Sequence, residues 1–514
     1  MKKLSLLFIS LISPFFLLSQ TPGTLDLSYG DNGYKLVDFG GTSNFCNGAD
    51  IQDDQMLVLG GTSFNDTRDI SFARLTSEGT LDVGFGSNGI ITYVFGGSNE
   101  ELNNLLVQPD GFILGVGYTC NSDNCSMILT RLTPIGLMDP TFSSDGMVVV
   151  DFGPAYESFG YDICLQDDGK ILAVGSVRDL NYDNHCALCR LNPDGSMDNS
   201  FGTNGIVIMN FQSYDNYTNN VLIQGEKILV GGVSYHEGDY YLNIARFGST
   251  GLLDATFGNN GVVTAELTME SVVISARGEM CLDAEDRILY GCYYTGDIIT
   301  GFAVYRFLAD GEADLSFGDL GAAITVLEDN ASISAITTQY DGKILAGGSV
   351  PNGYALARYL PDGDPDPSFG TNGNGIVYNY DLDRIYALDM QEDGLIMAAG
   401  NAYAGNGSDF CAARYYSGLN VGMKDGHMAK NEILITPNPF ADNVKIQFKL
   451  SMEGQVKAEI YNIHGEKLEI LAAKQYLRGT HQLEWNANNL SKGLYLLKLS
   501  INEEVSTAKM IKEQ

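Results

Sequence analysis

Gly79-Thr80-Leu81-Asp82-Val83-Gly84-Phe85-Gly86-Ser87-Asn88-Gly89 is one copy of a phrase that occurs seven times in this chain. The phrase reads Gly-x-x-Asp-x-x-Phe-Gly-x-x-Gly, with Tyr29 replacing Phe in the first copy and Ser143 replacing Gly in the third. Its Asp falls at Asp26, Asp82, Asp139, Asp198, Asp254, Asp314 and Asp366. The spacings are 56, 57, 59, 56, 60 and 52 residues. A period of this size means a repeat architecture. Seven copies of one unit specify a scaffold, so binding chemistry must lie where the copies differ.

Working outward from the phrase, residues 146–202 show one repeat. Apolar or alternating runs at 147–152, 161–165, 170–175 and 185–190 are separated by Gly153-Pro154, Asp167-Asp168-Gly169, residues 181–184 and Asn192-Pro193-Asp194-Gly195. Short runs punctuated by Gly, Asp, Asn and Pro read as strands joined by turns. No stretch of the repeat region carries a helical period over 11 residues. Each unit is expected to hold four antiparallel strands. The third run recurs as Lys227-Ile-Leu-Val-Gly231 and Lys343-Ile-Leu-Ala-Gly347, apolar throughout, which means a strand covered on both faces. Four-stranded sheets sandwiched between neighbours are the propeller pattern, and seven units predict seven blades. A linear solenoid would need shorter rungs and atypical end caps.

Arg recurs with the phrase. Arg74, Arg131, Arg190, Arg246, Arg306, Arg358 and Arg414 each end the fourth run, and the whole chain has only 13 Arg. The first six precede a signature Asp by about eight residues. A planar guanidinium facing a carboxylate gives a directional pair. Arg and Asp are read as a repeated structural clamp, because catalytic groups seldom come in seven equivalent copies. The aromatic residues beside the signature glycines, such as Phe85 and Phe201, are expected to plug the seams between blades. The copy at residues 23–33 is expected to close the ring against the seventh blade.

The ends differ from the middle. Lys2, Lys3 and the apolar run 4–18 form a secretory signal over residues 1–19, too short and wrongly flanked for a stable membrane span. No later run reaches the length of a transmembrane helix. Residues 20–417 hold 53 acidic and 16 basic side chains, and residues 418–514 hold 11 and 12. That shift marks two domains, the repeat region at 20–417 and a tail at 433–514, joined by a linker at 418–432. The acidic region should repel nucleic acid and anionic membrane. Nine cysteines in an exported chain permit disulfides. Cys120 and Cys125, closing a hairpin loop, are the candidate pair. Cys186 and Cys189 lie three apart in a strand, so they face opposite sides.

The tail alternates with period two at 444–448, 456–461, 481–485 and 494–499, as expected of a small β-sandwich. The fold class is thus all-β: a seven-bladed propeller followed by a small C-terminal sandwich.

Two resemblances add to this reading. The phrase Leu25-Asp26-Leu-Ser-Tyr-Gly30-Asp-Asn-Gly33 and its copy at 81–89 resemble the delta-60 repeats of secreted bacterial proteins, which look like β-propellers and carry no established reaction. The order Pro437-Asn438-Pro439-Phe440, Ile460-Tyr-Asn462, Gly465, Gly479 through Trp485, Leu490-Ser-Lys-Gly493-Leu-Tyr495 and Lys509 resembles the type A C-terminal sorting domain of the type IX secretion system. That resemblance implies passage through the periplasm, contact with the secretion machinery, and export to the outer surface or the medium. Residues 424–432 are then the expected cleavage region.

Enzymatic signatures are sparse. The repeat region has two His, His185 and His236, and no zinc, phosphate-loop or Ser-His-Asp pattern. No cofactor is expected. Calcium could be held by Asp and backbone oxygens, but the Pro-Asp-Gly and Asp-Asp-Gly phrases read more simply as hairpin turns. The variable loops between the third and fourth runs concentrate Tyr182, Tyr235, Tyr240, Tyr241, Tyr293, Tyr294 and Tyr403. Tyr offers rigid contact area with a polar end, as binding surfaces favour, and also caps hairpins. The expectation is a monomeric surface or secreted propeller that binds a glycan or protein without catalysis. The alternative is a hydrolase or lyase acting on an extracellular polysaccharide.

Overall fold

The computed structural model describes residues 20–512 except 96–98, 122–123, 154–156, 212–214, 237–238, 267–277, 296–299, 328–330, 406, 420–432, 437, 439, 441, 451–453, 463–466, 477–478, 489 and 502–503. The expected secretory signal at 1–19, nearly all of the expected linker with its cleavage region, and Pro437, Pro439 and Gly465 lie outside the described residues. The chain divides into two compact units, 1–420 and 421–514.

In the first unit every described element is a strand or turn. Its strands form seven four-stranded antiparallel groups among the described residues. One group runs Glu157–Leu165, Ile171–Arg178, Asn184–Leu191 and Ile206–Met209. The group therefore straddles two sequence repeats. The first run of a repeat is not the edge of its own sheet. The signature turn folds it back onto the last strand of the preceding repeat, as Cys186 pairs with Met209 and Cys189 with Ile206. The same offset closes the molecule. Tyr34–Val37, which follows the first signature, pairs antiparallel with Gly407–Tyr415 near the other end of the repeat region.

The first strands of the groups are Ser43–Ile51, Asn99–Val107, Glu157–Leu165, Asp215–Gln224, Glu279–Leu282, Ser332–Thr338 and Arg384–Met390. Each touches the next, and the last touches the first, so they enclose an axis. The second and third strands are buried on both faces; Ile344–Val350 and Gly353–Tyr359 are buried throughout. Burial on both sides explains their unbroken apolar character. The core is accordingly a series of clusters between neighbouring sheets. Cys189 belongs to one cluster and Cys186 to the next, so the two thiols sit on opposite faces of one sheet.

Six of the seven first strands carry a β-bulge, for instance between Cys46 and Gly48 or between Gly160 and Asp162. A bulge inserts one extra residue and re-aims it. Glycine on the facing strand makes room. A Cβ on Gly175 would stand 1.8 Å from the Phe159 carbonyl oxygen, and one on Gly61 would stand 1.9 Å from that of Phe45.

The second unit has a three-stranded sheet, Ile433–Thr436, Asn443–Leu450 and Gly479–Asn486, and a four-stranded sheet, Lys467–Tyr476, Gly454–Asn462, Gly493–Ile501 and Glu504–Lys512. Both supply one buried cluster around Trp485, Ile446, Ala458 and Leu497. Trp485 donates its indole N–H to Glu469 at 3.0 Å. Among the sorting residues, Asn438 donates its amide to the Lys509 carbonyl at 2.9 Å, and the Tyr495 hydroxyl donates to the Ser491 carbonyl at 2.6 Å.

Candidate functional site

The recurrent Arg and Asp meet in every group. Nε of Arg74, Arg131, Arg190, Arg246, Arg306 and Arg358 donates to Oδ2 of Asp82, Asp139, Asp198, Asp254, Asp314 and Asp366 over 2.7–3.1 Å. Arg414 reaches back across the ring closure to Asp26 at 2.8 Å. Each guanidinium also lies over a signature ring, from 4.3 Å for Arg306 on Phe317 to 5.0 Å for Arg74 on Phe85. Its third contact leaves the unit. Nη1 of Arg190 donates to Ser249 O at 2.7 Å, that of Arg246 to Ala309 O at 2.6 Å, and that of Arg414 to Ser77 O at 2.6 Å. Arg74, Arg131, Arg306 and Arg358 bond Pro134, Pro193, Pro361 and Ser417 likewise. Every clamp thus grips the turn of its neighbour, and the seventh grips the first. A glycine receives the signature ring: a Cβ on Gly136, at φ +84°, would lie 2.9 Å from the Phe85 ring. Burial opposes ionisation of Asp198, but hydrogen bonds from Ser200 and the Arg190 charge outweigh it, so this carboxyl titrates below the usual range. The other six signature Asp residues are lowered too. The belt is charged, paired and closed, with no vacant functional group.

The loop tyrosines occupy hairpin ends. Tyr182 and Tyr403 are exposed, and Tyr235 packs on its cross-strand partner Tyr240 with ring centroids 4.9 Å apart. Tyr241 is half-buried opposite Ser234. The backbones of Tyr293 and Tyr294 pair with Phe302 and Gly301, while their side chains lie outside those described. Cys120 and Cys125 form a disulfide across another of these hairpins. Among the described residues no cluster of three His, Cys, Asp or Glu could hold a metal, and no helix is long and apolar enough to cross a membrane.

The bulges build a different place. The extra residues Asn47, Asn103, Tyr161, Asn219, Ser334 and Tyr386, with Gly278 in the fifth group, all line one axial cavity of about 420 Å³. All seven groups contribute, three through Asn, two through Tyr, one through Ser and one through Gly. Tyr217, Asn104, Glu279 and small or aliphatic residues complete the wall, and among the described residues no Lys, Arg or His lines it. The volume lies within the range of small-ligand sites, about 300–1,000 Å³.

Four carboxyls surround this axis. Asp50 accepts the Val107 amide of the next first strand at 2.6 Å, and Asp162 accepts the Val221 amide of the next at 2.7 Å. Asp389 accepts the amides of Met390 and of Ile51 in the next group. These three staple neighbouring strands. Burial pushes Asp50 up to about 7, with Asp389 adding repulsion. Burial likewise lifts Asp162 and Asp389 to about 6. Glu279 differs. It lines the cavity beside the Asn220 amide, and burial together with the Asp162 charge raises its carboxyl well above the usual range.

Reasoning from the sequence missed the cavity residues. A signal was present: each of the six bulge residues stands five positions before a recurring Gln, as Asn47 does before Gln52 and Tyr161 before Gln166, while Gly278 stands before Asp283. That Gln is tied to the belt, since Gln52, Gln166, Gln224 and Gln339 accept hydrogen bonds from the clamp Arg of their group.

Comparison with known proteins places both units. Residues 52–85, 166–201, 227–257 and 339–369 match the family described as domain of unknown function (DUF5122) beta-propeller. Residues 434–513 match the secretion system C-terminal sorting domain. No curated protein matches the chain. Among solved structures it is similar to a puromycin hydrolase at 10% identity and TM-score 0.43, covering 80% of this chain and 61% of that one. The chain thus spans less than two thirds of that hydrolase. It is also similar to the polysaccharide lyase Uly1, at 11% identity and TM-score 0.35 over 74% of this chain and 88% of that one. A PQQ-bound aldose sugar dehydrogenase from Streptomyces coelicolor gives 10% identity and TM-score 0.32, over 74% of this chain and 98% of that one. Such distant likenesses carry no functional argument. The chain therefore carries β-propeller repeats of the delta-60 type followed by a C-terminal sorting domain that implies export to the cell surface or secretion.

Proposed function

We propose that this chain is a seven-bladed propeller, delivered through the periplasm by the type IX route, that binds an extracellular glycan or protein without transforming it. The sorting domain supports the route. The closed cycle of first strands supports the blade number. The observation that carries the binding reading is the axial cavity, where seven otherwise equivalent units present Asn, Tyr, Ser or Gly at one shared position. A scaffold needs no such divergence at one shared position.

The test is to screen the purified full chain on glycan and protein arrays and, in parallel, against chromogenic hydrolase and lyase substrates. Binding without turnover is expected. Turnover abolished by Glu279→Gln would replace this reading with catalysis by a cavity carboxyl. Deleting residues 433–514 should leave the repeat region folded and hold it in the periplasm. Normal levels of the truncated protein outside the cell would contradict the export route.

A further inference from the structure

Among the four axial acids, Glu279 stands apart in being bonded by a side chain, Asn220, and not by the backbone of a neighbouring strand. Asp50, Asp162 and Asp389 each receive backbone N–H groups from neighbouring strands. Glu279 receives none, forms no ion pair among the described residues, and has another acid, Asp162, as its charged neighbour. It keeps partial exposure although protein surrounds it, as a side chain on a cavity wall does. Isolated buried carboxylates are unfavourable, and a counter-charge relieves them.

The rest of the wall offers acceptors. Asn47 spends its amide N–H on the Leu102 carbonyl at 2.8 Å, and Asn103 spends its own on the Gly160 carbonyl at 2.7 Å. Each keeps its carbonyl oxygen, beside a second amide N–H. Tyr161, Tyr217 and Tyr386 line the same space. Aromatic rings attract cations, the more so when water is excluded. The nearby base Arg384 is exposed and donates to the Tyr386 hydroxyl at 3.4 Å, but does not line the cavity. Acceptors, rings and an acid without a base among the described residues define a site suited to a cation.

We propose that the axial cavity takes an organic cation, the alkylammonium end of a lysine side chain or of a free polyamine, with Glu279 as its counter-ion. The proposal rests on the reading of the chain as a binder and names the chemistry that its cavity selects. Among the described residues no cluster of three His, Cys, Asp or Glu stands here, which favours an organic cation over a bound metal.

The full chain is titrated by calorimetry and saturation-transfer NMR with Nα-acetyl-lysine methylamide, spermidine, cellobiose and calcium chloride at constant ionic strength. Both amines are expected to bind. Tighter binding of the lysine derivative identifies a protein side chain as the source; tighter binding of spermidine identifies a free polyamine. Glu279→Gln should weaken the amines by at least about tenfold, the scale of losing a desolvated charge partner. Glu285→Gln removes one negative charge from an exposed turn and should leave binding unchanged. Melting temperatures confirm that both variants fold. Equal weakening in the two variants would reduce the effect to net charge and overturn the proposal. So would binding of cellobiose or calcium with both amines silent, or no binding by any probe. The wider binding function fails on a different result, silent arrays.

Discussion

The Arg–Asp belt and the axial cavity are made by the same seven units, some twenty residues apart in each. At the belt the units agree: Arg, Asp, an aromatic ring and a neighbouring turn meet with nearly the same geometry seven times. At the axis they disagree, offering Asn, Tyr, Ser or Gly at one position. The belt groups are paired, and their carboxyls are easier to ionise than usual. The axial acids are desolvated and harder to ionise. Repetition marks what holds the ring, and departure from repetition marks what the ring can hold.

That contrast can be broken in several ways. The largest effect is expected from removing residues 21–37, which deletes the outer strand of the last group and the Asp26 partner of Arg414. The ring then lacks its closure, and the melting temperature should drop further than for any single clamp substitution. An unchanged melting temperature would show that closure adds nothing. Next comes Arg358→Ala, at the most buried clamp, with side chains 1% and 3% exposed. Breaking such a pair costs roughly 3–5 kcal/mol. Arg358→Lys should restore little, because one ammonium cannot replace the fork that reaches Asp366, Ser417 and Gln339 at once. Denaturant titration measures both, and ligand preference should not move.

The third test is pH. The signature Asp residues have lowered pKa values in the folded protein, so their contribution is present above about pH 4 and is lost as pH falls through the folded values. Asp50, Asp162 and Asp389 have raised values, to about 7, 6 and 6. The folded state then holds protons that the unfolded chain releases, and stability falls as pH rises from about 4 toward 7. Each such group contributes a slope of up to about 1.4 kcal/mol per pH unit. Melting temperature should therefore peak in mildly acidic solution and decline on both sides. Asp50→Asn, which mimics the neutral acid, should flatten the decline toward neutral pH. A melting temperature that climbs steadily to pH 7 would break the contrast between belt and axis.

The smallest effect is expected at the loop tyrosines. Tyr235→Ala removes a half-exposed ring at a hairpin end and should change stability by about 0.5 kcal/mol or less, with cavity affinity intact. A hot-spot loss of about 2 kcal/mol or more, roughly thirtyfold in affinity, would move binding to the variable loops instead.

The chain's own order of residues determined the all-β class, the repeat, the approximate strand positions, the C-terminal sorting domain and the identity of the clamp residues. Each of these rests on local spacing: a glycine where positive φ is required, an Arg eight residues before an Asp, alternation with period two. Three-dimensional packing decided the rest. The offset between repeat and sheet depends on the signature turn folding a strand back onto the preceding unit, as Ile206 does onto Cys189. The partner of Arg414 is 388 residues away at Asp26, a contact made only when the ring closes. Glu279 looks like an ordinary strand residue in sequence, and the spacing of Asn47 from Gln52 does not by itself say that it faces a cavity. Bulges and the meeting of seven first strands bring them to one axis, because a closed ring of twisted sheets leaves its centre to whatever the innermost strands present.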